Sequence, residues 1–212
     1  MSPKIGIILP TRGMVFSRVE EAIEGFRKNH DITVYRSHDL PIPLGHNTLT
    51  EKALREGMDN LFFIEEDTVP PARALEKLLA VGMDIACIDY GVSGWSCITK
   101  NGEGKILWCG LGCTLVKRSV FEALETPYFR TDKALMLPAM TWRDLPQEYQ
   151  EKRNYGGLDI WFFCKAREKG FEIMQVEGEC DHLELKSLGE KGKNHGLHEI
   201  GLRLKIEKHQ II

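Results

Sequence analysis

The segment LFFIEEDTVPP occupies residues 61–71. Four apolar residues, typical of a strand buried on both faces, run directly into Glu65, Glu66 and Asp67. Three adjacent carboxylates repel one another unless a positive charge lies among them. A hard divalent cation, which prefers oxygen ligands, would explain the cluster. A solvated turn that leads into the next helix would explain it as well, and the triplet alone fits both interpretations.

The segments around this strand alternate between strand-like and helix-like patterns. The predicted strands of the first half cover residues 4–9, 32–35, 61–64 and 84–89. The predicted helices cover residues 17–29, 47–56 and 72–81. Ser17 and Glu20 have the spacing of a capping box that opens the first helix. This alternation predicts a mainly parallel sheet covered by helices, whose ligands bind beyond the carboxyl ends of the strands. Pro10, the acidic triplet and Asp89 are expected at that edge.

The second half of the chain has a different pattern. Residues 97–99 and 105–108 form a predicted antiparallel hairpin, followed by a strand at 110–116. The remaining predicted elements are a short helix at 119–124, a helix at 158–169 and a strand at 172–176. There is no internal repeat or low-complexity linker. The sequence therefore predicts one α/β domain over residues 1–185 and a tail rich in Lys, Gly and His over residues 186–212.

Composition limits the class of protein. The chain has 212 residues, with 28 Lys and Arg against 31 Asp and Glu, a net charge of −3. That balance gives no support to nucleic-acid binding by bulk charge. No apolar run approaches the ~18 residues of a membrane span, and no cleavable signal follows the N-terminus. The six cysteines lie at scattered positions among apolar neighbours, which favours reduced thiols in a cytoplasmic protein.

Several short motifs occur together in an order that resembles GT-A-type glycosyltransferases, especially the compact family-2-like enzymes of bacteria and their phages. The resemblance covers nearly the whole chain. Its motifs are IILPTR at 7–12, GHN at 45–47, FFIEEDTVP at 62–70, GLGCTLVKRSVF at 110–121, GGLDIWF at 156–162 and CDH at 180–182. Three positions depart from the family pattern: Glu65 replaces Asp, Leu158 replaces Glu, and His46 replaces Arg.

The resemblance implies a GT-A-like fold, which is a mixed, mainly parallel sheet flanked by helices. It implies transfer of a sugar from a nucleotide-diphosphate donor, by default a UDP-sugar, to an acceptor hydroxyl. Asp67 and His182 would bind a divalent cation, with Mn²⁺ favoured over Mg²⁺ because the ligands are mixed carboxylate and imidazole. Asp159 would be the catalytic base of an inverting reaction. The donor-binding residues would be Pro10, Thr11, Arg12, Asn47, Glu65 and Glu66.

The residues also allow other interpretations. Asp159 could simply complement a helix N-terminus, and His182 could be a surface histidine near a strand end. The basic tail would be either a solvated end or a mobile lid over the diphosphate. The acceptor, whether glycan, protein, lipid or nucleic acid, stays open.

Two other classes of function remain as alternatives. A nucleotidyltransferase could share the nucleotide-binding sheet and the acidic site, with Thr11, Arg12 and Gly13 as a short version of its cationic loop. A non-catalytic zinc module could use one set of four ligands. That set is Cys109, Cys113, Cys180 and His182.

Overall fold

The structure is a computed structural model that describes residues 2–38, 40–92, 95–131 and 157–183. The strands are β1 Ile5–Thr11, β2 Ile32–His38, β3 Asn60–Ile64, β4 Thr68–Val69, β5 Ile85–Val92, β6 Trp95–Ser96, β7 Thr99–Lys100, β8 Ile106–Trp108, β9 Cys113–Lys117 and β10 Ile173–His182. The helices are α1 Ser17–Arg27, α2 Ile42–Arg55, α3 Ala74–Ala80, α4 Arg118–Glu122 and α5 Leu158–Glu168. The predicted tail at 186–212 lies outside the described residues.

One sheet organises these elements, in the order β2-β1-β3-β9-β5-β10-β4, with β6 paired to β5. β1 runs parallel to β2 and β3, and β5 runs parallel to β10. β9 lies between β3 and β5 and is antiparallel to both, so β3 and β5 point the same way. β7 and β8 form a separate hairpin. The sheet confirms the predicted fold class, because its five longest parallel strands end at one edge.

The sheet is buried on both faces, and β3 shows why its sequence is continuously apolar. Phe62 packs edge-to-face on Phe26 of α1, with 5.8 Å between ring centroids. Phe63 points to the other face and packs on Phe121 and Phe129, at 6.2 and 5.6 Å. Burial of each such ring contributes about 2 kcal/mol. These contacts hold the end of β3, and therefore the acidic segment, in a firm position.

The start of α1 differs from the prediction. Ser17 lies inside the helix, and the N-cap residue is Phe16, which makes no side-chain capping hydrogen bond. The predicted capping box is therefore wrong. Glu20 is almost fully buried and forms an ion pair with Arg36 of β2. A charged partner on the neighbouring strand provides a stronger interaction than a backbone N–H at the cap.

Helix α2 begins at Ile42, five residues before the predicted start at Asn47. Proline lies at the first helical positions, where its fixed φ suits the helix and its missing N–H costs nothing. His46 and Asn47 therefore lie inside a helix rather than in a loop before one.

Strand β10 extends to His182, well past the predicted end at Val176. Its register against β5 shifts between Gln175 and Glu179, and Gly178 in this irregular stretch has a φ of 146°. Beyond the shift, the strand pairs with β4, with His182 opposite Thr68. Residues 68–69, expected to lead into a helix, form this short strand instead. The pairing brings the end of β10 to the acidic segment.

Candidate functional site

The acidic segment lies at the carboxyl end of β3, between that strand and β4. Asp67 and His182 meet there because β4 pairs with the end of β10. Oδ1 of Asp67 lies 3.8 Å from Nε2 of His182, and both side chains are partly open to solvent. The backbone supports the contact, since the N–H of Leu183 donates to the carbonyl of Asp67 at 2.8 Å. The two residues predicted as metal ligands are therefore neighbours in space.

Glu66, next to Asp67 in the chain, anchors the loop after β1. Its carboxylate accepts the backbone N–H of Arg12 at 2.7 Å and is also bound by the Arg12 side chain. Glu66 is only 7% exposed, so the ion pair is shielded on that side. The Arg12 guanidinium also lies 3.7 Å from Asp67. The structure thus brings Arg12, Glu66 and Asp67 together. The Arg12 guanidinium compensates the negative charge of Glu66.

Glu65 is partly buried and accepts a hydrogen bond from the Tyr90 hydroxyl at 3.3 Å. Desolvation, together with the charges of Asp67 and Asp159, raises the pKa of Glu65 to about 7. Burial also raises the pKa of Tyr90 well above its ordinary value, so the phenol keeps its proton. Near neutral pH Glu65 therefore exists in both protonation states.

Asp159 lies in the first turn of α5, and its Oδ1 accepts the N–H of Ile160 at 2.9 Å. Burial raises the pKa of Asp159 to about 6. A Cβ on Gly157 would lie 2.1 Å from Oδ1, so the helix N-terminus has space for the carboxylate only because residue 157 is glycine. The charge of Asp159 is one of the causes that raise the pKa of Glu65.

Pro10 and Thr11 form the end of β1, beside the Arg12 loop. The Thr11 hydroxyl donates to the carbonyl of Ser37 at 3.1 Å and accepts the N–H of Gly13 at 2.9 Å. Gly13 has a φ of 98°, a left-handed conformation that favours glycine. The loop is therefore shaped by its own hydrogen bonds, and donor contacts by Pro10 and Thr11 stay predictions.

Asn47 holds a different segment of the chain. Its side-chain NH₂ donates to the carbonyls of Pro43 and Phe129, at 2.7 and 2.8 Å, and its carbonyl oxygen accepts the N–H of Phe129 at 3.1 Å. These bonds engage both ends of the amide within the protein. The structure thus gives Asn47 a role in securing the segment around Phe129, and its predicted donor contact stays a prediction.

His46, which stands where the family pattern has Arg, is a core residue that is 4% exposed. Its ring is nearly parallel to that of Phe63, with centroids 6.4 Å apart and a 7° interplanar angle. Nδ1 donates to the carbonyl of Ile42 at 2.9 Å. Desolvation lowers the pKa of His46 to about 4. A neutral imidazole therefore occupies a position where the family has a cation.

The zinc-module alternative is not supported by the geometry. Within the ranges that the structure describes, no three His, Cys, Asp or Glu side chains are grouped so that they could hold a metal ion. The Cys109 thiol instead contacts the Thr114 hydroxyl, with 3.7 Å between Sγ and Oγ1. Four-ligand zinc binding by Cys109, Cys113, Cys180 and His182 is therefore wrong. An ion at Asp67 and His182 would need further oxygen ligands from water or from a bound phosphate.

Tyr90 is the main residue of this site that the sequence analysis missed. It follows Asp89 near the end of β5, and its hydroxyl lies between Glu65 and the N–H of Gly112. The one indication in the sequence was that Tyr90 directly follows the predicted strand at residues 84–89, where site residues are expected. Its partners lie far from it along the chain, so no local pattern pointed to them.

The structure therefore brings acidic side chains, an imidazole and a phenol together at the carboxyl edge of a mixed, mainly parallel sheet flanked by helices. No helix in the described part of the chain is both long enough and apolar enough to cross a membrane. Neither the scan against protein-family models nor the search of curated proteins finds a match.

Solved structures do match the fold. A197 from STIV has a TM-score of 0.57 at 17% sequence identity, and the match covers 87% of this chain and 86% of that one. The mannosyltransferase PcManGT from Pyrobaculum calidifontis, in complex with GDP-Man and Mn²⁺, has a TM-score of 0.47 at 13% identity. That match covers 99% of this chain but only 62% of the mannosyltransferase.

The inositol-1-phosphate CTP transferase from T. maritima has a TM-score of 0.45 at 11% identity, over 86% of this chain and 89% of that one. The similarity to A197 bears on the fold alone. The other two similarities are too low to bear on function.

Proposed function

We propose that the chain is a metal-dependent glycosyltransferase that moves a sugar from a nucleotide-diphosphate donor to an acceptor hydroxyl. The observation that carries the proposal is the meeting of Asp67 and His182, 3.8 Å apart, at the carboxyl edge of the sheet. One residue follows β3 and the other ends β10, so only the folded sheet brings them together. This edge is where open α/β sheets bind their ligands.

The chemistry of Asp67 and His182 suits a divalent cation. A carboxylate and an imidazole are ligands that Mn²⁺ accepts together more readily than Mg²⁺ does. Such an ion keeps open positions for phosphate oxygens, so two protein ligands are enough when a diphosphate supplies the rest. When bound, the ion would act as a Lewis acid that neutralises charge on the departing diphosphate.

Asp159 is the proposed catalytic base, which takes the proton of the acceptor hydroxyl in an inverting transfer. Its pKa of about 6 leaves it ionised above neutral pH and more basic than an ordinary carboxylate. One of its oxygens is held by the N–H of Ile160, which fixes its direction at the start of α5. The proton would pass to the carboxylate as the hydroxyl oxygen attacks the sugar carbon.

The residues around the base and the metal pair would contact the donor. Glu65 precedes Asp67 by two residues, and the charges of Asp67 and Asp159 both raise its pKa. A UDP-sugar is the default donor because of the family resemblance. A nucleotidyltransferase would use the cation of the loop after β1 on its triphosphate, but here Arg12 is engaged by Glu66. Because the family resemblance also assigns Arg12 to the sugar donor, this ion pair does not distinguish the two classes of enzyme.

Thermal unfolding with a panel of nucleoside diphosphates, each with and without Mn²⁺, tests the proposal. We expect one nucleotide to raise Tm only when Mn²⁺ is present, by an amount equivalent to about 2.7 kcal/mol at 100 times its Kd. Asp67→Asn should abolish the shift while leaving the fold intact, because it removes the charge that holds the ion. Asp84→Asn is the matched control, since Asp84 precedes β5 at the opposite edge and pairs with Lys117. The absence of any Mn²⁺-dependent shift, or its persistence in Asp67→Asn, would refute the proposal.

A further inference from the structure

Tyr90 is a buried phenol that touches both halves of the candidate site. Its hydroxyl oxygen accepts a hydrogen bond from the N–H of Gly112 at 3.1 Å and lies 3.3 Å from Oε2 of Glu65. Because the amide of Gly112 can only donate, the phenol oxygen accepts that bond and its own proton points to Glu65.

The ring of Tyr90 makes the second contact. It lies 6.0 Å from the His182 imidazole, centroid to centroid, and the two planes differ by only 9°. One residue thus hydrogen-bonds to the acidic segment after β3 and stacks on the histidine that ends β10.

The backbone of two glycines packs closely against the Tyr90 side chain and restricts its movement. A Cβ on Gly110 would lie 2.1 Å from the Tyr90 hydroxyl oxygen, and one on Gly112 would lie 2.8 Å from Cζ. Only residues without a side chain permit so close an approach of the backbone. Tyr90 itself is 4% exposed. The backbone at Gly110 and Gly112 therefore packs directly against the phenol.

We propose that Tyr90 is a positioning residue, which aligns Glu65 through its hydroxyl and the His182 ring through stacking. The inference rests on the proposed function, in which Glu65 contacts the sugar donor and His182 binds the metal ion. Tyr90 acts through these two side chains and needs no contact with substrate. Partners that orient a metal site typically change metal affinity or activity by ~10-fold to 100-fold when they are lost.

Tyr90→Phe and Tyr90→Leu separate the two contacts. The Phe variant removes the hydroxyl and keeps the stacked ring, whereas the Leu variant removes both. Tyr35→Phe is the matched control, because Tyr35 also donates to a glutamate, Glu56, at 2.8 Å, but does so beside α2, outside the site. The first readout needs no ligand: carbon-13 and proton NMR of the Glu65 carboxyl and the His182 ring.

We expect the Glu65 signal to move in Tyr90→Phe and the His182 ring signal to move only in Tyr90→Leu. Tyr35→Phe should leave both signals in place. Unmoved Glu65 and His182 signals in both Tyr90 variants would overturn the proposal, whatever the function of the site. If the Leu variant does not fold, the Glu65 signal in the Phe variant still decides the role of the hydroxyl.

The second readout is Mn²⁺-dependent nucleotide affinity. Tyr90→Phe should weaken it by ~10-fold, and the effect should disappear when Glu65 is already replaced by Ala. A loss of the same size in both backgrounds would show a structural effect and would contradict coupling through Glu65. If the NMR signals move as expected while the wild-type protein binds no nucleotide, the positioning role stands and the glycosyltransferase proposal fails.

Discussion

Acid should destabilise this protein through His46, and the size of the effect follows from its environment. The pKa of His46 falls from its ordinary value of 6.5 to about 4 in the fold, because the ring is desolvated. Since the folded pKa is the lower one, the neutral ring contributes stability above pH 6.5 that is lost as the pH falls toward 4. The full contribution is about 3 kcal/mol, of which about 2 kcal/mol disappears between pH 7 and pH 5.

Urea denaturation at these two pH values measures this effect when the wild-type protein is compared with His46→Leu. The Leu variant loses a hydrogen bond to Ile42, which costs about 1 kcal/mol at either pH. Its free energy of unfolding should, however, fall by about 2 kcal/mol less than that of the wild type on acidification. Comparing the pH dependence of the two proteins cancels the contribution of every other titrating group. Phe121→Leu, a non-titrating change in the same core, should keep the wild-type pH dependence. Parallel pH profiles for the wild type and His46→Leu would refute the reasoning.

Two further changes test the proposed chemistry. His182→Ala should weaken Mn²⁺ binding by ~10-fold, less than Asp67→Asn does, because water can take the vacated ligand position; wild-type affinity in a metal titration would make His182 structural. Asp159→Asn keeps the size and much of the capping ability, so donor binding should persist while transfer falls by at least ~10²-fold. With a pKa of about 6, wild-type transfer should decline as the pH drops through 6, because the base becomes protonated. Near wild-type transfer by the Asn variant, or a product that NMR shows to retain the donor's configuration, would remove Asp159 from the role of base.

The alternating half of the fold could be predicted from the sequence because its signals are local. A strand buried on both faces, such as β3, must be continuously apolar, and the acids that follow it must lie at the sheet edge. Local signals failed where a distant partner competed with them. Glu20 had the right spacing for a capping box, but Arg36 on β2 engages it instead.

The assembly of the site could not be predicted from local patterns. Asp67 meets His182 only because β10 continues through a register shift and pairs with β4. The family resemblance pointed to both residues, but it gave no physical reason for their contact. Tyr90 shows the limit more clearly, since its contacts to Glu65 and His182 span 25 residues in one direction and 92 in the other. Neither separation corresponds to a period of a helix or a strand.

The repulsion among the three adjacent acids is relieved in a different way for each of them. Glu66 is neutralised by Arg12, and Glu65, with a pKa of about 7, holds a proton in part of the molecules at neutral pH. Among the residues that the structure describes, the Asp67 carboxylate has ion-pair contacts only with Arg12, at 3.7 Å, and with His182, at 3.8 Å. A divalent cation at Asp67 would therefore displace weak contacts, not a strong ion pair. Its charge would also favour the ionised form of Glu65, so that cation binding releases a proton near neutral pH. The segment thus keeps a partly exposed carboxylate at Asp67, the residue that the proposed function requires to bind the metal.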